Sequence, residues 1–481
     1  MKDVKKWVFT IIGVLLVLCG GYLPPVFGLN ALGMQVAGIF IGTILLWMFV
    51  SVTWPSLLCI VALMLSPLYT YSSALSGSMG GWITSFVLFS SMVTYALRQT
   101  GFLKRVAVWF VTRPFAKKNP WLFLGLLFLA PLFIGSFMSP IPAFVVCLPI
   151  AEQIFAELKY EKGDRFPQIT VLGILFFASL STAATPIAHT VTTMALSLYE
   201  NDMGAPIDFV AYTIFGVISC IVIFFVSMLL TKFVCRPDVD RIKNLDSSVL
   251  SSEIQPMSKQ EKYTLTVFLL VVAMWLLPGI ISPILPGVAS AINSLGTPTP
   301  AIIGAVILCI LCVDGKPRMN FNEAVTKGVP WGAVFMVAAT SILGSALTNE
   351  DAGITALISN ALAPIIGNMP PIIFVLFISL FTVIITNFAS NTVTVTLMYS
   401  ISLPLVYGGA IAGVNPAALT CVIGAGACVA CATPPSTAHA AIAAGTGWLN
   451  TDTMLKYGLL WSITAAVLFA VVGYPIASLF M

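Results

Sequence analysis

Apolar stretches long enough to cross a membrane recur along nearly the whole chain, from Trp7 to Phe480. A helix needs about 20 apolar residues to cross the hydrocarbon core of a bilayer, and these stretches leave no room for a soluble domain. Only 8% of the 481 residues are charged, against about 25% in an average soluble domain. The sequence therefore predicts an all-α polytopic membrane protein.

The apolar runs predict about eleven transmembrane helices and two re-entrant hairpins, which enter and leave the membrane on the same side. The hairpins are placed at about 120–157 and 367–406, where proline, glycine and polar residues interrupt the runs. Irregular backbone at membrane depth persists only where it is buried in protein or lines a wet cavity. The predicted spans are 7–29, 33–51, 54–70, 81–98, 168–199 (broken), 207–231, 264–283, 296–313, 330–348, 412–447 (broken) and 457–480.

Positive charge is confined to one side of the membrane in this arrangement. With the N-terminus in the cytoplasm, all 22 Lys and Arg residues fall on the cytoplasmic side, and the predicted outer loops contain only acids such as Glu200 and Asp351. This distribution follows the positive-inside rule. We therefore expect a multi-pass protein of the plasma (inner) membrane, surrounded by lipid, with its C-terminus outside.

Polar landmarks recur at an offset close to half the chain length. The only two histidines, His189 and His439, are 250 residues apart, and Ser390 follows Ser139 by 251. Each half holds five spans, an odd number, so the second half is predicted to be inverted, as in many secondary transporters. The predicted parts are a first extra helix at 1–30, repeat 1 at 31–235, a cytoplasmic linker at 236–262 and repeat 2 at 263–481.

The two broken spans are predicted from Thr185-Pro186 and Thr433-Pro434. Proline lacks a backbone N–H and clashes with the preceding helical turn, so each span should consist of two half-helices joined by an unwound loop. The N-termini of half-helices attract carboxylates, and unwound carbonyl groups suit a cation such as sodium. We predict substrate contacts at these four residues.

The hairpin tips supply the other candidate binding residues. The second tip carries Ser390-Asn391-Thr392, and the matching position of the first carries Ser139-Pro140-Ile141. The alternatives are a polar cluster between helices at the second tip and a capped proline kink at the first. His189 and His439 follow the broken-span loops; they either line the substrate pathway, where protonated imidazoles could pair with an anion, or pack as hydrogen-bonded residues.

Enzyme and nucleic-acid functions find no support in the sequence. It contains no P-loop, no GxSxG and no HExxH motif, and its basic residues are dispersed along the cytoplasmic edge. We expect no catalytic residues, no cofactor and no nucleic-acid partner.

The order and spacing of these motifs resemble those of the divalent anion:sodium symporter (DASS) family of di- and tricarboxylate carriers. The family hallmark is a Ser-Asn-Thr motif at each hairpin tip, followed by a Thr-Pro loop in the next span. Ser390-Asn391-Thr392 is a full copy, and both Thr-Pro pairs match the loops. Ser139-Pro140-Ile141 departs from the pattern, because Asn and Thr are both lost.

The resemblance implies transport of small dicarboxylates by an elevator movement, in a homodimer. It also implies a sodium site at the second tip, formed by Thr386, Ala389, Asn391 and Ala432. Some family members exchange anions instead of co-transporting sodium, and the altered first tip favours exchange slightly. The alternatives are a carrier of a monocarboxylate or another anion on the same fold, and a channel.

Overall fold

The computed structural model describes residues 2–113, 119–187, 190–245, 256–313, 315–366 and 369–481. These residues are almost entirely helical; the strands among them are the paired dipeptides Cys312–Val313 and Lys316–Pro317. The predicted all-α class is confirmed. Residues 246–255 of the predicted linker and His189 lie outside the described residues.

The first half of the chain contains eleven described α-helices. They are α1 (Lys2–Cys19), α2 (Ala31–Phe49), α3 (Thr53–Met64), α4 (Tyr71–Gly77), α5 (Trp82–Arg98), α6 (Phe102–Val111), α7 (Pro120–Gly135), α8 (Pro140–Glu157), α9 (Arg165–Ser181), α10 (Thr190–Met203) and α11 (Phe209–Leu230).

The second half contains twelve described α-helices. They are α12 (Lys259–Ile281), α13 (Pro286–Asn293), α14 (Thr299–Ile310), α15 (Phe321–Glu323), α16 (Trp331–Thr348), α17 (Ile354–Ile366), α18 (Pro371–Thr386), α19 (Asn391–Tyr407), α20 (Pro416–Ala427), α21 (Ala438–Gly445), α22 (Thr451–Leu468) and α23 (Tyr474–Phe480). A π-helical turn, Phe469–Gly473, joins α22 to α23.

Six of the described helical segments are long and apolar enough to cross a membrane, and seven are if the bent pair α4–α5 counts as one span. Seven shorter apolar helices of 10–17 residues accompany them. Several of these lie in the predicted hairpins and broken spans, where the chain is interrupted after three to five turns. The chain is therefore a multi-pass membrane protein in which part of the membrane-embedded structure consists of half-length helices.

Proline and small polar residues set the ends of these half-length helices. The range predicted for the first hairpin contains α7 and α8, and the range predicted for the second contains α18 and α19. Three of the four begin with proline, a residue suited to the first helical position because its missing N–H would be unpaired there anyway. Asn119 also caps α7 by accepting a hydrogen bond from the N–H of Trp121.

The structure differs from the sequence-based prediction in two ways. The first span ends early: α1 stops at Cys19, and Gly20 packs directly on α2, where an added Cβ would lie 2.8 Å from the Cα of Gly38. In addition, the short helices α4, α6, α13 and α17 lie between the predicted spans and hairpins and were not predicted. They were missed because none is long enough to indicate a membrane span.

The buried apolar residues form two clusters. The smaller joins α2, α3 and α16, and the larger contains both hairpins and both broken spans. Within the larger cluster, α7 and α8 pack against α9, while α18 packs against α20 and α22. Helix α5 packs mainly against α12, α14 and α16. Each hairpin therefore rests on the broken span that follows it in sequence.

Candidate functional site at the hairpin tips

The second hairpin turns over residues 387–390, between Thr386 at the end of α18 and Asn391 at the start of α19. The hydroxyl groups of Ser390 and Thr392 form no hydrogen bond with described residues, and neither does the amide nitrogen of Asn391. All three residues are partly exposed. The tip therefore presents three unused side-chain donors at the N-terminus of a 17-residue helix.

Oxygen atoms converge behind this tip. Thr386 Oγ1 lies 2.6 Å from the carbonyl oxygen of Ala427 and 2.9 Å from Asn391 Oδ1, and its single hydrogen can serve only one of them at a time. The carbonyl oxygens of Ala389 and Ala432 accept no hydrogen bond from described residues. Hard cations such as sodium prefer oxygen ligands, so the donor set fits the predicted ion.

Asn387, which the sequence-based prediction left out of the site, holds the second unwound loop to the hairpin. Its amide nitrogen donates to the carbonyl oxygens of Val383 (2.8 Å) and Val429 (3.0 Å). Its amide oxygen accepts from the N–H groups of Cys431 (2.9 Å) and Ala432 (2.8 Å). The side chain is fully buried and uses its complete hydrogen-bonding capacity.

Both Thr-Pro loops are tied to the hairpin tip of their own half by the same kind of bond. Thr185 Oγ1 donates to the carbonyl oxygen of Ser136, and Thr433 Oγ1 donates to that of Asn387, each at 2.5 Å. Pro186 and Pro434 follow these threonines. The predicted Thr-Pro residues thus lie against the tips, and each threonine hydroxyl hydrogen is already used within the protein.

Glycine lets a neighbouring helix approach each unwound loop. A Cβ added to Gly216 of α11 would lie 2.4 Å from the carbonyl oxygen of Ala183 and 2.5 Å from that of Ala184. A Cβ added to Gly458 of α22 would lie 2.8 Å from the Cα of Ala432. The two halves therefore pack their loops in corresponding ways, against backbone that no side chain could approach so closely.

The first tip differs from the second in its side chains. Ser139 precedes α8 and forms no side-chain cap, Pro140 is buried, and Ile141 is 39% exposed. Gly135 takes the place that Thr386 has in the second tip, and a Cβ there would lie 2.0 Å from Ser181 Oγ. The side chain of Ser181, from α9, thus fills the space of the missing threonine.

His439 is buried between the two halves. Its Nε2 lies 2.8 Å from Ser179 Oγ, which also lies 3.1 Å from the carbonyl oxygen of Ala430. Because the serine hydrogen is needed for the carbonyl group, Nε2 is assigned as the donor to the serine oxygen. The imidazole also packs against Phe144, with ring centroids 6.2 Å apart. The structure places this histidine in a packed interface and, at 3% exposure, away from solvent.

A cavity of about 220 Å³ opens beside the first tip, between α8, α10, α5 and the start of α16. It is lined by Phe86, Val87, Ser90, Ser91, Thr94, Ser139, Ile141, Ile187, Thr190, Thr193, Pro330 and Ala333. Half of these residues carry hydroxyl groups, and none is charged. Only Ser139 and Ile141 of this set belong to the predicted site.

A family model described as a citrate transporter matches residues 43–426. A sodium-dependent dicarboxylate transporter (SdcS) of Staphylococcus aureus strain MRSA252 is 24% identical over 463 residues, which cover 91% of this chain and 86% of that protein. An uncharacterized transporter of Haemophilus influenzae is 22% identical over 361 residues, which cover 75% of this chain and 74% of that one.

Among solved structures, the YdaH transporter of Alcanivorax borkumensis matches with a TM-score of 0.58 at 15% identity, over 86% of this chain and 89% of that chain. A likeness at this identity concerns the fold alone. The family model, in contrast, covers most of the chain, including both hairpins and the first broken span. This protein therefore belongs to the citrate transporter family, of the DASS type, and is a secondary transporter and not an enzyme.

Proposed function

We propose that this protein carries small dicarboxylates, such as succinate, malate, fumarate or 2-oxoglutarate, across the membrane. The observation that carries this proposal is the set of unused donors on Ser390, Asn391 and Thr392. A carboxylate only accepts hydrogen bonds, and the N-terminus of α19 adds the positive end of a helix dipole. Because no charged side chain forms this tip, binding would rest on neutral donors and on the dipole.

Sodium is proposed to bind at the second tip only. Thr386 and Asn391 would hold it together with backbone oxygens, and the bound ion would supply positive charge close to the substrate carboxylate. The first tip has lost the corresponding residues at Gly135, Pro140 and Ile141. The sodium-dependent relatives support sodium coupling. Loss of the first site favours anion exchange as the second candidate mode.

The transport cycle is proposed to be an elevator movement of the hairpins and broken spans. Support comes from the bonds that join each tip to its own loop, since these parts would have to move together. The inverted repeat, the homodimer and the cytoplasmic N-terminus belong to the same proposal. A carrier of a monocarboxylate is a second candidate, favoured by the single intact set of donors.

Counterflow tests the substrate class and the coupling. Proteoliposomes are loaded with unlabelled succinate, labelled succinate is added outside, and sodium buffer is compared with choline buffer. We expect saturable counterflow that Asn391→Ala and Thr392→Ala abolish. Thr396→Val is the matched control, because this buried hydroxyl lies on the same helix and bonds only to the carbonyl oxygen of Thr392.

Each outcome has one meaning. Exchange that is equal in both buffers means an anion exchanger, whereas uptake that requires a sodium gradient means symport. Monocarboxylates that compete at least as strongly as dicarboxylates would favour the second candidate. If no di- or tricarboxylate is taken up or exchanged, the proposed function is wrong.

A further inference from the structure

The cavity beside the first tip has two chemically different sides. Ser139 and Thr190 lie on one side, each at the start of a helix, α8 and α10 respectively. Their hydroxyl groups form no hydrogen bond with described residues. Helix α8 has few backbone donors of its own at this end, because Pro140 and Pro142 both lack an N–H. The donors at this end are therefore mainly the two hydroxyl groups, and the dipoles of the two helices add positive potential that favours an anionic oxygen.

Helix α5 contributes acceptors to the same cavity. Ser91 Oγ donates to the carbonyl oxygen of Val87 at 2.6 Å, and Thr94 Oγ1 donates to that of Ser91 at 3.0 Å. A hydroxyl group has one hydrogen and two lone pairs. Since both hydrogens are used within the helix, lone pairs remain for a ligand in the cavity. They suit a group that donates an O–H and are a poor match for a carboxylate, which cannot donate.

The cavity is lined by helices with partly different neighbours. Helix α8 packs against α7 and α9, and α5 packs mainly against α12, α14 and α16, whereas α10 packs against α16 and α20 and also contacts α5. A ligand in this cavity would therefore touch the first hairpin tip through Ser139 and helix α5 through Ser91 or Thr94. The altered first tip itself offers one hydroxyl group, from Ser139, where the family pattern has three polar residues.

We propose that this cavity binds the hydroxyl-bearing end of a hydroxycarboxylate. The carboxylate would accept from Ser139 and Thr190, and the substrate hydroxyl would donate to Ser91 or Thr94 on α5. The inference deepens the proposed carboxylate transport and rests on it. It assigns α5 a role in choosing between a hydroxy acid and the same acid without its hydroxyl group.

Malate and succinate are the direct probes, because they differ by one hydroxyl group. Competition against labelled malate is measured with the full chain in proteoliposomes at pH 8, where both carboxyl groups of each acid are ionised. We expect the wild type to prefer malate. Loss of one neutral hydrogen bond changes binding by about twofold to tenfold, so either Thr94→Val or Ser91→Ala, whichever removes the acceptor of the malate hydroxyl, should reduce the preference by that factor.

Two further variants separate this role from a structural one. Thr94→Ser keeps the hydroxyl group and should keep the preference for malate. Ser85→Ala changes the same helix outside the cavity lining and should change neither substrate. Thermal unfolding of Thr94→Val in detergent should match that of the wild type, which shows that the variant is folded.

The inference is overturned if the wild type does not distinguish the two acids, or if the α5 variants weaken both equally. Either result leaves carboxylate transport intact, so the proposed function survives it. If neither acid competes and no other carboxylate does, the proposed function fails first and this inference fails with it.

Discussion

Replacing Asn387 by alanine should destabilise the protein because backbone groups of other residues lose their hydrogen-bond partner. The amide oxygen accepts from two buried N–H groups, those of Cys431 and Ala432. Each buried donor left unpaired costs about 1–3 kcal/mol, so the substitution should cost about 2–6 kcal/mol. The two carbonyl groups that the amide nitrogen binds add to this cost.

The expected change in melting temperature follows from chain length. An unfolding entropy of about 2.1 cal/mol/K per residue gives about 1 kcal/mol/K for 481 residues. Asn387→Ala should therefore lower Tm by about 2–6 °C. The assay is thermal unfolding of the purified full chain in detergent, followed by intrinsic fluorescence, with counterflow measured on the same preparation.

Asn391→Ala is the matched control, four residues away in the same tip. Asn391 is partly exposed, and the hydroxyl group of its neighbour Thr386 can bond to Ala427 instead. We expect Tm within about 1 °C of wild type together with loss of transport. If both variants unfold at the same temperature, the hydrogen bonds of Asn387 do not stabilise the loop.

Three further predictions concern packing and charge. Gly458→Ala should lower the free energy of unfolding by about 1–3 kcal/mol and slow transport, because the added Cβ would lie 2.8 Å from the backbone of the loop. Gly445→Ala is the control: its Cβ would have no neighbour within 4 Å, so this variant should behave as wild type. Arg105→Ala removes the partner that lies 2.8 Å from the carboxylate of Glu261, whose side chain is only 4% exposed. We expect the free energy of unfolding, measured with denaturant, to fall by about 3 kcal/mol. Arg105→Lys keeps the positive charge and should lose less. Burial raises the pKa of Asp202, near the C-terminal end of α10, from 3.8 to about 6, so the folded state binds this proton more tightly than the unfolded state. The stability due to this group falls as pH rises from about 4 to 6, and Asp202→Asn should flatten Tm against pH in that window.

Local sequence signals were sufficient to predict that the protein is a membrane protein and to predict where its helices break. Proline next to threonine or serine ends a helix through its own chemistry, so Thr185-Pro186 and Thr433-Pro434 could be located without a structure. The unused donors of Ser390-Asn391-Thr392 could also be proposed from residue type, since hydroxyl and amide groups in an apolar run need partners or a ligand.

Contacts between distant residues could not be predicted in the same way. Asn387 binds N–H groups 44 and 45 residues away, and His439 contacts Ser179 across 260 residues. Nothing near either residue in sequence identifies these partners. The contribution of α5 to the cavity was missed for the same reason: Ser91 and Thr94 look like ordinary helix-interface residues until the structure shows that they line the same cavity as Ser139 of the first hairpin tip.

The fit of Ser181 against Gly135 constrains how this sequence can change over time. Threonine at position 135, introduced alone, would place its Cβ 2.0 Å from Ser181 Oγ. Shortening Ser181 alone would leave a void beside the tip, which also costs stability. The two positions are therefore expected to be coupled: a threonine fits at position 135 only if Ser181 changes with it, and each single change should destabilise the protein more than the two changes together.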